Sequence, residues 1–330
     1  MKQTSIYNYP MALLAILVVV MASCDKKDYA LPTAKDKLQN DAIKRSLGPN
    51  IVNDTIEFVY AMGILPSKGK LVSAEVEASI EGAAGTFLEH RSYYTNTSGV
   101  DVGVQIGDPS VTVKEKTTVT FTRDTSAAAL RYTYIVPEAA RGKTVSFTFT
   151  ARSSNGETAT YKLGPYNVSK MDMKRLLTVV NGGNAYISIE DMAVYNDAGA
   201  AANANKIDLV YLYRTYTTST FTHALVAPAA DAQYLPDITL PAGVNRNTKI
   251  QRVFSLQDYD LAFSAVGVYI DDRDFQELDI SNAPNFAINL KAEAGIWVET
   301  ADKKYRAYVY VNSINNNAKS AVISMKRYAL

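Results

Sequence analysis

From Ile51 onward, apolar and polar residues alternate with a period of two, as in Val119-Thr120-Phe121-Thr122 and Ser146-Phe147-Thr148-Phe149-Thr150. That period sends successive side chains to opposite faces, so these runs predict half-buried antiparallel strands. Turn residues punctuate them: Gly69, Gly82, Gly85, Gly107-Asp108-Pro109, Pro137, Arg141-Gly142 and Asn155-Gly156, the last a hairpin pair. Roughly seven runs between Ile51 and Val168 predict an immunoglobulin-like β-sandwich without its cysteine pair or tryptophan. A second unit begins near Met171, after Gly164-Pro165, with strands expected at 185–189, 207–213, 266–270, 286–290, 295–299 and 305–311. The expected fold class is all-β: an immunoglobulin-like β-sandwich over 51–170, then a second mainly-β domain over 171–330, sandwich or jelly-roll-like. Longer connections at 196–206 and 227–248 are of the kind that carry binding sites.

The N-terminal pattern is different. Lys2 precedes an apolar run, 11–22, too short to span a bilayer, which ends at small residues and the only cysteine of the chain. Met21-Ala22-Ser23-Cys24 resembles the lipobox of bacterial lipoproteins, with Met21 where leucine is usual. The resemblance implies a signal peptide over 1–23 and lipidation of Cys24, which then begins the mature chain; an ordinary signal peptide is the alternative. Acylation at that thiol anchors a protein to a membrane. Residues 24–50 read as a polar tether with a short helix around 34–47. Asp25-Lys26-Lys27-Asp28 resembles the surface-export signals of Bacteroidetes lipoproteins, which places the expected location at the outer membrane, lipid-anchored and facing outward. With Cys24 lipidated, no thiol is left for a disulfide or a metal cluster.

Composition narrows the partners. A net charge of +1 and 47% hydrophobic residues argue against disorder and against a nucleic-acid partner. The 22 tyrosines, against 10 Phe and one Trp, suit pleated, half-buried strands.

The stretch Ala202-Asn203-Ala204-Asn205-Lys206-Ile207-Asp208-Leu209-Val210-Tyr211-Leu212-Tyr213, with Ala224-Leu225-Val226-Ala227-Pro228-Ala229-Ala230-Asp231 and Asn247-Thr248-Lys249, resembles an uncharacterised family of two-domain Bacteroidetes lipoproteins. The resemblance implies association with outer-membrane importer loci of the starch-utilisation type. Read from the residues alone, Leu209, Tyr211 and Tyr213 share one strand face and Val210 and Leu212 the other, which predicts a central strand buried on both sides. Asp208 and Asp231 are expected to cap turns through side-chain to backbone hydrogen bonds.

No catalytic signature is present. The two histidines, His90 and His223, exclude a multi-histidine zinc site, and no G-x-S-x-G occurs. Gly63-Ile64-Leu65-Pro66-Ser67-Lys68-Gly69-Lys70-Leu71 is superficially similar to a phosphate loop but is one residue too long and ends in Leu71, where a hydroxyl is needed; it reads as a turn. Carboxylates gather at Asp258, Asp260, Asp271, Asp272, Asp274, Glu277 and Asp279. Asp271, Asp272 and Asp274 form a weak candidate calcium site, with a solvated turn containing Arg273 as the other reading. No cofactor is implied.

One surface stands out for binding. Alternation in Gly295-Ile296-Trp297-Val298-Glu299 buries Ile296 and Val298 and sends Trp297 outward; in the run 305–312, Arg306, Tyr308 and Tyr310 likewise point away from Ala307, Val309 and Val311. Trp297, Tyr308, Tyr310 and Arg306 thus form a candidate aromatic platform for a sugar ring or partner protein, with cover by a loop or the neighbouring domain as the alternative. The expected function is non-catalytic capture of a glycan or other nutrient, accessory to an outer-membrane importer. The alternatives are a structural or adhesive protein binding a protein partner and, third, a glycoside hydrolase using a carboxylate pair.

Overall fold

The computed structural model describes residues 35–215, 220–254, 256–262 and 267–330. The expected signal peptide, Cys24 and the charged cluster 25–28 lie outside the described residues. Lys37–Leu330 form one compact unit.

The first half carries β1 (Gln39–Lys44), β2 (Thr55–Gly63), β3 (Leu71–Ala78), β4 (Phe87–Leu88), β5 (Arg91–Thr95), β6 (Asp101–Gln105), β7 (Val111–Val113), β8 (Lys116–Thr120), β9 (Ala127–Ile135), β10 (Thr144–Ser153) and β11 (Thr158–Asn167). They build two facing sheets, ordered β1-β2-β9-β4 and β11-β10-β3-β8-β7, with β5-β6 as a separate ribbon. Alternation does the sorting. Ile56, Phe58, Tyr60 and Met62 of β2 face Val145, Phe147, Phe149 and Ala151 of β10 across one core. Its centre is aromatic, with Phe58 and Phe147 rings 4.7 Å apart and Tyr134 edge-on to Phe147 at 5.0 Å. Gly156, at φ 86°, supplies the turn expected at Asn155-Gly156 between β10 and β11.

The tether helix expected around 34–47 is not there. Gln39–Lys44 is instead the first strand, antiparallel to β2. Its apolar signal is faint because it is an edge strand with only Ala42 buried. Its polar residues tie the sandwich shut: the Asn40 amide donates to the Phe149 and Ala159 carbonyls at 3.0 and 3.1 Å.

The second half carries β12 (Asp172–Val180), β13 (Tyr186–Ser188), β14 (Ala193–Tyr195), α1 (Asp197–Ala202), β15 (Leu209–Thr215), β16 (Thr220–Val226), β17 (Lys249–Val253), α2 (Asp272–Glu277), β18 (Phe286–Leu290), β19 (Gly295–Glu299), β20 (Tyr305–Asn315) and β21 (Ser320–Ala329). Two sheets, β12-β21-β20-β19-β17 and β14-β13-β15-β16-β18, enclose a core that includes Leu209, Tyr211, Ile296, Val298, Val309 and Met325. Both outer faces are also covered. Val210, Leu212 and Phe221 lie under the connection after β16, whose Tyr234 stacks on Phe286 at 3.7 Å. The opposite outer face lies under residues that include Leu261, Ile270, Phe275 and Ile280. Hence β15 is buried on both faces, as its sequence predicts, and every residue of β19 is buried. The strand expected at 266–270 does not form in the described part: Val268 makes an isolated bridge to Asp258, and Val266 lies outside the described residues.

Candidate functional site

The aromatic platform is closed. Trp297 is 7% exposed, Tyr308 0% and Tyr310 2%. Alternation does aim them away from the inter-sheet core, but the segment between β17 and β18 lies on top of them. Phe275 stands edge-on to Trp297 at 5.3 Å and stacks on Tyr328 at 5.6 Å. The Tyr308 hydroxyl donates to the Leu256 carbonyl, and burial pushes its pKa up. Arg306 pairs with Glu299 at 3.0 Å and donates to the Phe275 carbonyl. Trp297, Tyr308 and Arg306 therefore hold the cover down, Tyr310 is buried in the same cluster, and the three rings present no free binding surface.

Two members of the carboxylate cluster pin the same cover. The Lys326 ammonium, fully buried on β21, lies 2.8 Å from Asp258 and 3.2 Å from Asp260 and donates to the Ile270 carbonyl at 2.9 Å. The weak calcium candidate is a helix start. Asp271 is the N-cap of α2 and accepts from the Arg273 amide at 2.9 Å, while Asp274 accepts from the Asp271 amide at 2.8 Å, closing a capping box. Asp272 accepts from the Ser169 hydroxyl and the Lys170 amide. With these oxygens turned to backbone, no metal-holding group of three or more His, Cys, Asp or Glu forms among the described residues.

A second buried pair fastens the other cover. Asp208 accepts from the Ile189 amide at 2.9 Å, the backbone bond its sequence suggests, and meets Arg246 at 3.1 Å; Arg246 also reaches Asp302 at 2.8 Å. The Arg246 contact is close but poorly directed, leaving Asp208 Oδ1 without a formal hydrogen bond. Burial dominates, and the carboxyl is pushed up to about 7 despite the guanidinium. Asp231 precedes the short turn of helix at Ala232–Tyr234 but makes no side-chain cap, contrary to expectation. His223 is buried with its ring nitrogens on the Tyr211 hydroxyl and, at 2.8 Å, Asn316. His90 sits beside Glu89 at 3.2 Å.

What remains open is a groove where the two halves meet, about 1090 Å³ in volume. Lys44, Lys143 and Tyr166 line it from the first half, and Lys170, Tyr269 and Arg273 from the second. Such junctions are the usual place for binding sites. The Tyr269 ring lies against the backbone of Gly48: a Cβ there would come within 2.6 Å of the ring, and φ is +79°. Glycine at 48 thus sets the ring's position. Gly142, at φ +66°, lets the Lys170 stem lie close in the same way, 3.1 Å from where a Cβ would be. Lys44 lies 5.9 Å from the centre of the Tyr166 ring, and burial lowers its pKa. The junction is braced below the groove: Arg141 reaches Asp172 at 2.7 Å and donates to the Lys170 and Met171 carbonyls, and the Ser169 amide donates to the Asn50 carbonyl at 2.7 Å. A smaller depression of about 510 Å³ around Arg252, Phe254 and Glu293 sits close in sequence to residues outside the described set.

The groove was missed from sequence because its residues come from strand ends and connections, the farthest more than 200 positions apart. The signal that could have found it is the bordering pair of turns, Gly48-Pro49-Asn50 and Gly142-Lys143, beside the expected junction of two domains.

Comparison with known proteins agrees with this division. Residues 35–168 match the model of a domain of unknown function, DUF4466, and residues 169–330 that of another, DUF8576. Among curated proteins none matches. The crystal structure of a DUF4466 family protein from Parabacteroides merdae is 47% identical, covers 89% of this chain and 99% of its own, and superposes with a TM-score of 0.83. A cohesin module from a Clostridium perfringens family 33 glycoside hydrolase (12% identity, 39% of this chain and 98% of its own, TM-score 0.24) and a major pilin of Streptococcus agalactiae (14%, 57% and 75%, TM-score 0.29) are so distant that their likeness carries no argument. At 47% identity over nearly all of the Parabacteroides protein, this chain belongs to the same all-β, two-domain DUF4466 family, whose function is unknown.

Proposed function

We propose that this is a lipid-anchored outer-membrane protein, displayed at the cell surface, that captures a carbohydrate without turning it over, as accessory to an importer. The observation that carries the reading is the groove of about 1090 Å³ at the junction of the halves, in which Tyr166 and Tyr269 are only half-buried. Tyrosine offers an apolar face and a polar edge, the combination that a pyranose ring meets well. Capture rather than hydrolysis is supported by the groove's own carboxylates: Asp271 is occupied in the capping box and Asp272 by Ser169 and Lys170. Hydrolysis needs one carboxyl free to donate a proton and another to act on the sugar. Anchoring rests on the Met21-Ala22-Ser23-Cys24 motif.

The test is a glycan array probed with residues 37–330, the compact unit, beside a Tyr166→Ala/Tyr269→Ala variant. Binding by the parent that disappears in a folded variant supports capture in the groove. A blank array, or binding indifferent to both tyrosines, overturns it. For the anchor, Cys24→Ala is expected to move the protein from the membrane to the soluble fraction and to abolish labelling by a fatty-acid analogue; unchanged labelling would contradict it.

A further inference from the structure

The groove is unevenly charged. Four cationic side chains, Lys44, Lys143, Lys170 and Arg273, line it against two carboxylates, Asp271 and Asp272. Both carboxylates are committed to α2 and to the Ser169-Lys170 turn. Arg273 is held by Glu277 at 2.7 Å. The lysines are different. Among the described residues, no carboxylate forms a salt bridge with Lys44, Lys143 or Lys170; Lys44 donates only to the Ser46 carbonyl. Other cationic side chains of this chain do meet carboxylates, as Lys116 meets Glu75, Lys206 Asp191 and Arg327 Asp172. With Arg273 paired to Glu277, the three ammonium groups outnumber the two carboxylates around one concave, tyrosine-bearing surface and leave it net positive where a ligand would lie.

We infer that the ligand of this groove is an anionic saccharide, whose carboxylate or sulfate groups pair with Lys44, Lys143 and Lys170 while a sugar ring lies on Tyr166 or Tyr269. The inference rests on the groove reading above and adds the charge of the ligand. Lys44 is central to it because it sits beside the Tyr166 ring, so one sugar residue can meet both an aromatic face and an ammonium. Gly142 brings Lys170 in from the other side.

The test is calorimetric titration of residues 37–330 with three oligosaccharides of similar length: neutral glucan, carboxylated galacturonan and sulfated heparin fragments. Three proteins are compared: the parent, Lys44→Gln/Lys143→Gln/Lys170→Gln, and Tyr166→Ala/Tyr269→Ala. Binding is expected for an acidic sugar, galacturonan and heparin separating carboxylate from sulfate. Affinity should weaken about tenfold in the lysine variant, as three partly exposed charge contacts would give, and should fall with added salt in the parent. Neutral glucan binding lost only in the tyrosine variant would overturn the charge assignment and leave the groove reading standing. No binding of any sugar, or binding that neither variant changes, would overturn both, as would binding to anionic lipid vesicles without binding to any of the sugars.

Discussion

The two halves are both sandwiches, yet they use their outer faces in opposite ways. In the first, one aromatic core lies between two sheets and the outer face of β11 meets water through Thr158, Thr160 and Lys162. In the second, both outer faces are covered by the long connections, so aromatic residues that point away from the inter-sheet core are buried all the same. Each cover is fastened by a buried ion pair: Lys326 with Asp258 and Asp260 on one side, Arg246 with Asp208 on the other. The lesson is that period-two alternation states which side of a sheet a residue takes, and says nothing of what lies beyond that side.

Several substitutions would break or sharpen the contrast. The largest effect is expected from Asp258→Ala, which leaves the Lys326 ammonium buried with a diminished partner set and should cost about 3–5 kcal/mol in urea unfolding. A cost near zero would mean the cover is not fastened there. Close behind is Tyr310→Ala, at about 3 kcal/mol for a large side chain removed from a covered face, whereas Lys162→Ala on the open outer face of β11 should stay within about 0.5 kcal/mol. Equal costs at the two positions would erase the distinction between the halves. Gly48→Ala should cost about 1–2 kcal/mol, since it strains a left-handed backbone position and meets the Tyr269 ring.

The most specific effect is a pH dependence. Asp208 titrates near 7 folded, against about 3.9 unfolded. Between those values the folded chain binds more protons than the unfolded one, so the contribution of Asp208 to stability is present below about pH 4 and declines as pH rises through about 7. Stability of the parent minus that of Asp208→Asn should therefore fall across this window. A difference that is flat, or that rises, would contradict the burial of that carboxyl.

The sequence carried the strands of the first half because each writes its own alternation, as Ile56, Phe58, Tyr60 and Met62 do. It carried β15 because an unbroken apolar run requires cover on both faces. It hid β1, whose work is done by Asn40 and backbone rather than by apolar side chains. It left the cover of the aromatic face undecided for a related reason. Alternation turns Trp297, Tyr308 and Tyr310 away from the inter-sheet core but leaves open whether they meet water or a cover, because the cover that includes Phe275 and Ile280 has no sequence period linking it to the strands beneath. The groove is a product of tertiary folding alone, since Lys44, Tyr166 and Tyr269 are brought together by the junction of the halves.

Trp297 is the only tryptophan of the chain, so its fluorescence reports on the cover without any substitution. Acrylamide quenching of the native protein, compared with the same protein in urea, is the most direct test. The closed face predicts blue-shifted emission and weak quenching that becomes efficient only on unfolding. Native quenching as efficient as in urea would contradict it, and would return the binding surface to the open sheet of Trp297, Tyr308 and Tyr310.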